Sequence, residues 1–171
     1  MKKINRRSVV KKLFTLGSLL VPIYSSLSLM SQAKNTSLEA NMVIVWKNKR
    51  KMSLFKNKSL IKTYTVRLGF NPIGHKQKEG DGRTPEGRYF ITHHNPKSAY
   101  HKSLGINYPN RKDKENAKNR NEPPGKDIFI HGGPKNMFTH FFKDWTGGCI
   151  AVFNNEIEET DVKSVKFWQN M

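Results

Sequence analysis

Apolar and polar positions along the chain alternate in several short runs, which is the period of half-buried strands. Met42 to Trp46 and Met52 to Phe55 flank Asn48-Lys49-Arg50 and predict a β-hairpin. Tyr64, Val66 and Leu68 then alternate up to Gly69, adding a third strand to make a meander. From Gly69 to Thr92 turn chemistry dominates. Asp81-Gly82 and Thr84-Pro85-Glu86-Gly87 predict two successive turns, after which Arg88 to Thr92 restarts as a strand. Arg111 to Lys126 is highly charged, ends in Glu122-Pro123-Pro124-Gly125, and reads as a short exposed helix or loop, either a solvated connection or a lid. The apolar run Ile128 to Ile130 predicts a buried strand. Met137, Phe138, Phe141 and Phe142 recur at helical spacing and predict a stripe turned to the core. Ile150 to Phe153 reads as a strand, and Asn155 with Glu158 three residues later reads as a helix capping box. The fold class is therefore mainly β with short helices.

At 171 residues and 36% hydrophobic content the chain can bury one sizeable core. Residues 1–33 do not belong to it. Six basic residues precede the mostly apolar Leu13 to Met30 and then Ser31-Gln32-Ala33, the order of a signal peptide cut after Ala33. An uncleaved anchor is the alternative, and then the only membrane contact. Asn5-Arg6-Arg7-Ser8 is twin-arginine-like, so the sequence leaves the export route open. Residues 34–41 read as a linker and 42–171 as the domain. Loss of the leader leaves 25 basic against 13 acidic side chains, a net charge of +12. That balance suits an anionic wall polymer or simply a solvated lysine-rich face; export argues against nucleic acid as a partner.

Cys149 is the one cysteine, so no internal disulfide can form, and it is either an inert core residue or a reactive thiol. Its flanks favour reactivity. Gly147 and Gly148 leave little bulk beside the sulfur, and the N–H groups of Gly148 and Cys149 are candidates to hold an oxyanion. His131 stands at the mouth of the buried strand, before Gly132 and Gly133, and is the candidate base that would form thiolate at neutral pH. His140, inside the apolar stripe, ranks below it. His75 is read as structural. His93, His94 and His101 lack metal-site spacing, so no metal is expected.

His131 followed 18 residues later by Thr146-Gly147-Gly148-Cys149 resembles the YkuD-type L,D-transpeptidases, cysteine enzymes of bacterial peptidoglycan with a histidine and a Ser/Thr-x-Gly-Cys box. Gly147 stands where that family often has a second histidine. Asp144 to Val152, the phrase GDGRTPEG from Gly80 to Gly87, and Asn95 to Asn110 resemble a murein transpeptidase-like subgroup with a DWTxGCIAV box. The resemblance spans roughly residues 42 to 159 and implies an L,D-transpeptidase-type, β-sandwich-like domain. It also implies that the Gly132 carbonyl orients the His131 ring. Trp145, Thr146, Tyr100, His101 and Ser103 would meet a peptide stem. Beyond residue 159 the expected last apolar strand is not legible, with Thr160 to Met171 short and polar.

The implied activity is an exported, periplasmic or envelope enzyme that acylates Cys149 with a peptidoglycan tetrapeptide stem. It would pass the acyl group to an amine of diaminopimelate or of a murein-linked lipoprotein, without a cofactor. An amidase releasing wall-bound lipoprotein from the same Cys-His site is one alternative. A non-catalytic basic wall-binding module is the other.

Overall fold

The computed structural model describes residues 38–134, 139, 142–162 and 164–168. The expected leader, Met137, Phe138, His140 and Phe141 lie outside them. The strands are β1 (Leu38–Glu39), β2 (Met42–Trp46), β3 (Lys51–Lys56), β4 (Ser59–Thr65), β5 (Gly87–Ser98) and β6 (His101–Ile106). After helix α1 (Arg111–Asn119) come β7 (Phe129–His131) and β8 (Ile150–Ala151), then α2 (Asn154–Glu159), β9 (Thr160–Asp161) and β10 (Ser164–Trp168). Eight strands form one sheet in the order β4-β3-β2-β10-β5-β6-β7-β8, and β1 pairs with β9 in a small parallel ribbon.

The predicted meander is present, and its period-2 pattern explains its register. Val43 and Val45 of β2 face inward opposite Leu54 and Met52 of β3, and all four are fully buried. Asn57 and Lys58 both adopt positive φ between β3 and β4, the backbone of a tight hairpin turn. Tyr64, Val66 and Leu68 are buried as expected, with β4 itself ending at Thr65. Leu104, Ile130 and Ile150 extend the core through β6, β7 and β8, which carries it to the neighbourhood of Cys149.

Four expectations change. The last strand is not missing: β10 lies inside the large sheet, parallel to β2 and antiparallel to β5, with Val165 and Phe167 in register with Val43 and Val45. Part of the stretch read as a linker is built into the domain, since Leu38 and Glu39 pair with Thr160 and Asp161 and Ala40 is buried. The helix after β8 starts two residues earlier than expected, with Phe153 and Glu156 in the places read for Asn155 and Glu158. The Glu156 carboxylate accepts the Phe153 N–H at 2.8 Å, while Asn154 is committed elsewhere, to Gly133 N at 2.8 Å. Phe142, the described member of the aromatic stripe, is 64% exposed and is not core. The charged Arg111–Lys126 segment does hold a short helix, capped by Asn110 and anchored by the buried Asp113, which accepts from the Tyr89 hydroxyl.

Candidate active site

The pairing of β6 with β7 puts Ser103 opposite His131, and the parallel pairing of β7 with β8 brings Ile150, directly after Cys149, beside Ile130. Two residues that are 18 apart in sequence thus converge on one end of the sheet. Asn95, Ser98, Tyr100, Ser103, Asp127, Phe129, His131 and Cys149 line one cleft there, of about 340 Å³.

His131 is held on every side. Its Nδ1 lies 2.6 Å from the Gly132 carbonyl, which can only accept, so Nδ1 carries the proton and Nε2 is left with a lone pair. Gly132 suits this job because a side chain there would strike Asn154 Oδ1 at 2.7 Å and the Tyr100 carbonyl at 3.0 Å. The Tyr100 ring packs at 4.6 Å from the imidazole, and Trp145 meets its edge at 5.8 Å. Burial pushes the His131 pKa down, against the Gly132 hydrogen bond.

The thiol is also shielded. Cys149 Sγ accepts the Phe129 N–H at 3.4 Å and donates to the Asp127 carbonyl at 3.5 Å. Burial pushes its pKa up; the Phe129 N–H and the Lys76 charge pull the other way without overcoming it. Burial thus disfavours both the thiolate and the imidazolium, against the thiolate expected from the sequence.

The cysteine turn is shaped by Thr146 and Gly148. The Thr146 hydroxyl donates to the Cys149 carbonyl at 2.7 Å and accepts the Gly148 N–H at 3.1 Å. The Gly148 N–H, expected to be free for an oxyanion, is thus already engaged, and the Cys149 N–H remains without a partner among the described residues. Gly148 adopts φ +136, and a Cβ there would meet the Arg83 carbonyl at 2.7 Å. Thr146 is buried, so it supports the turn from beneath and does not face the cleft. His101 is also absent from the cleft lining, its Nε2 pairing with Glu158 at 2.7 Å.

A second cleft, about 220 Å³, reaches Cys149 from the other side, lined by Lys76, Glu79, Gly80, Gly125, Lys126, Asp127, Ile128 and Gly147. Sequence reasoning missed Asp127 and Phe129 in the first cleft and Lys76 in the second, and reached Asn95 and Ser98 only as part of the Asn95 to Asn110 stretch. Asp127 adopts φ +60. Only its place before the apolar run could have marked it. Among the described residues no three His, Cys, Asp or Glu side chains cluster.

The family model of the YkuD L,D-transpeptidase catalytic domain matches residues 40–160. The chain is 25% identical over 161 residues to YafK of Escherichia coli (strain K12), provisionally named an L,D-transpeptidase, covering 84% of this chain and 59% of that protein. Its fold is similar to that of the helical cell shape determining protein Pgp2 from Campylobacter jejuni, with TM-score 0.60 and 24% identity over 77% of this chain and 48% of that one. It is also similar to Bd1075 of Bdellovibrio bacteriovorus, with TM-score 0.55 and 24% identity over 75% of this chain and 48% of that one. The chain thus spans about half to three-fifths of the length of these relatives. By the match that takes in both His131 and Cys149, the chain belongs to the YkuD L,D-transpeptidase catalytic domain family.

Proposed function

We propose that the protein is an exported cysteine L,D-transpeptidase of the murein transpeptidase-like subgroup, acting on peptidoglycan tetrapeptide stems in the bacterial envelope. The carrying observation is that Cys149 shares one cleft with a histidine whose Nε2 is left as acceptor, while a second cleft opens on the same sulfur. Acyl transfer needs room for two substrates at one nucleophile, and two clefts supply it. The family acts on peptidoglycan, which supports the substrate class.

The chemistry follows from the geometry. As Cys149 Sγ bonds to the amide carbonyl carbon that follows the L-centre of diaminopimelate, its proton passes to His131 Nε2. The developing oxyanion takes the Cys149 N–H, a donor type worth about 3–4 kcal/mol when preorganised. Collapse breaks the C–N bond, D-alanine leaves with the proton from His131, and a thioester remains. An amine of a second diaminopimelate or of a lipoprotein lysine then takes the acyl group. Tyr100, Ser103 and Trp145, which surround His131, would hold the donor stem. Pgp2 is described as a cell shape determinant, so a role in cell shape is part of the reading.

Mass spectrometry of the protein with tetrapeptide muropeptides and lipoprotein-bearing wall fragments tests it, with Cys149→Ala as control. Crosslinked stems or new lipoprotein attachment, together with a Cys149 adduct, are the expected result. Loss of lipoprotein without new bonds would replace transfer by amidase action, and a folded sample with neither adduct nor product would leave only a wall-binding module.

A further inference from the structure

Acylation of Cys149 leaves Lys76 without a task, although its position is costly. The side chain is 3% exposed, and a buried ammonium is retained only with partners that replace water. Nζ donates to Asp81 Oδ1 at 2.8 Å and to the Lys78 carbonyl at 3.0 Å. An ammonium has three N–H bonds, and the third has no partner among the described residues. Asp81 is itself fixed, accepting from Gln77 N at 2.7 Å, Lys78 N at 3.2 Å and Arg83 N at 3.0 Å. Gly125, at φ +75, lines the same cleft in ordinary contact range of the Lys76 stem, a Cβ there lying 3.5 Å from Cε. A cation is thus locked into the wall of the cleft that ends at the sulfur. Its field reaches Cys149, where it favours the thiolate against burial.

A fixed ammonium with an uncommitted N–H is suited to a carboxylate. We propose that Lys76 determines acceptor specificity: it takes the carboxylate of the incoming amine, so that the second cleft selects amines bearing a carboxylate beside the reacting nitrogen over plain amines. This rests on the transfer reading above. In the step concerned, the amine, having released one proton to solvent, bonds through nitrogen to the thioester carbon. The C–S bond breaks, and the second proton of the amine passes through His131 to the Cys149 sulfur. Glu79 and Asp127 line the same cleft and favour entry of the cationic end of such an amino acid. Lys126 is 78% exposed and adds little directional binding.

Glycine and glycinamide, competed at equal concentration for the acyl-enzyme formed from a tetrapeptide stem, test the proposal, with products weighed by mass spectrometry. The wild type is expected to favour glycine by about tenfold or more, since a site built for a polar group rejects the analogue lacking it. In Lys76→Met the ratio should fall close to unity, through a raised KM for glycine and an unaltered KM for glycinamide. The double variant Lys76→Met/Asp81→Asn removes the ion pair as a neutral unit and carries the test should the single variant fail to fold. Because each ratio is taken within one enzyme, changes in acylation rate cancel. A wild type without preference, or variants that keep it, would overturn the proposal while a Cys149 adduct still upheld the transpeptidase reading. Absence of any wild-type adduct would sink both.

Discussion

At the residue scale the site turns on where two protons rest. Burial disfavours the charged form of each partner, raising the Cys149 pKa and lowering that of His131, so between the two values both groups are neutral. Alkylation by iodoacetamide follows the thiolate. Its rate in the native protein should therefore climb over a pH window above that of the same cysteine in the urea-unfolded chain, where the pKa is about 8.5. An inflection below neutrality would contradict the geometry and indicate a preformed ion pair. That His131 and Cys149 would meet at one end of the sheet was legible because glycines on their flanks announce exposed backbone at the end of an apolar run. Their resting charge was not, since it depends on how deeply Tyr100, Trp145 and the β7 backbone bury them. Lys76 was equally hidden: in a chain with 31 basic residues, one buried lysine looks like any solvated one.

At the scale of elements, the cysteine turn is tied to the first hairpin. Arg50, at φ +52 between β2 and β3, forks onto Asp144 with Nη2 to Oδ2 at 2.7 Å and Nε to Oδ1 at 3.0 Å, and Asp144 Oδ1 also accepts the Leu68 N–H at 3.0 Å. With side chains 18% and 9% exposed, the pair is largely withdrawn from water, so losing either partner strands the other. Arg50→Ala and Asp144→Ala should each cost about 2–3 kcal/mol by urea denaturation, and the double variant much less than their sum. Additive losses would mean that the fork is incidental. The hairpin was legible because its alternation is regular and both strands bury one face. The strand β10 was not, because Ser164 to Trp168 is short and its alternation of Val165 and Phe167 with Ser164 and Lys166 is embedded in a polar tail. Its strandedness comes from the neighbours: it fills the gap between β2 and β5 and pairs on both sides. Lys166→Pro removes an N–H from a strand with partners on both edges and should destabilise the domain by about 3 kcal/mol or more. A melting temperature unchanged from wild type would show that β10 is not part of the folded sheet.

For the whole molecule, charge sets the response to acid. The chain carries +18 at pH 7 with only 13 acidic side chains to offset its 31 basic ones, so each carboxylate protonated at low pH adds to self-repulsion. That term is nonspecific and is screened in about 1 M salt, where the Debye length is about 3 Å. A specific term survives the salt. Burial alone would raise the Asp81 pKa, but the Lys76 ammonium and the N–H groups of Gln77, Arg83 and Lys78 outweigh it and hold the carboxyl below its ordinary 3.8. A folded-state pKa below the unfolded one means that the unfolded chain binds the proton more readily. The stabilisation is therefore complete above the ordinary value and is lost as pH falls through the depressed folded value. Urea midpoints in about 1 M salt should accordingly hold from pH 7 to about 5 and then drop for the wild type. Asp81→Asn should start lower at neutral pH, because Lys76 loses its anionic partner and keeps only neutral acceptors, and should decline less steeply on acidification. The two curves are expected to approach one another as the wild-type carboxyl becomes protonated and the difference between the side chains shrinks to a neutral one. Parallel curves across the acid range would show that Asp81 titrates alike in both states, and that its hold on Lys76 is far looser than the four hydrogen bonds accepted by Asp81 suggest.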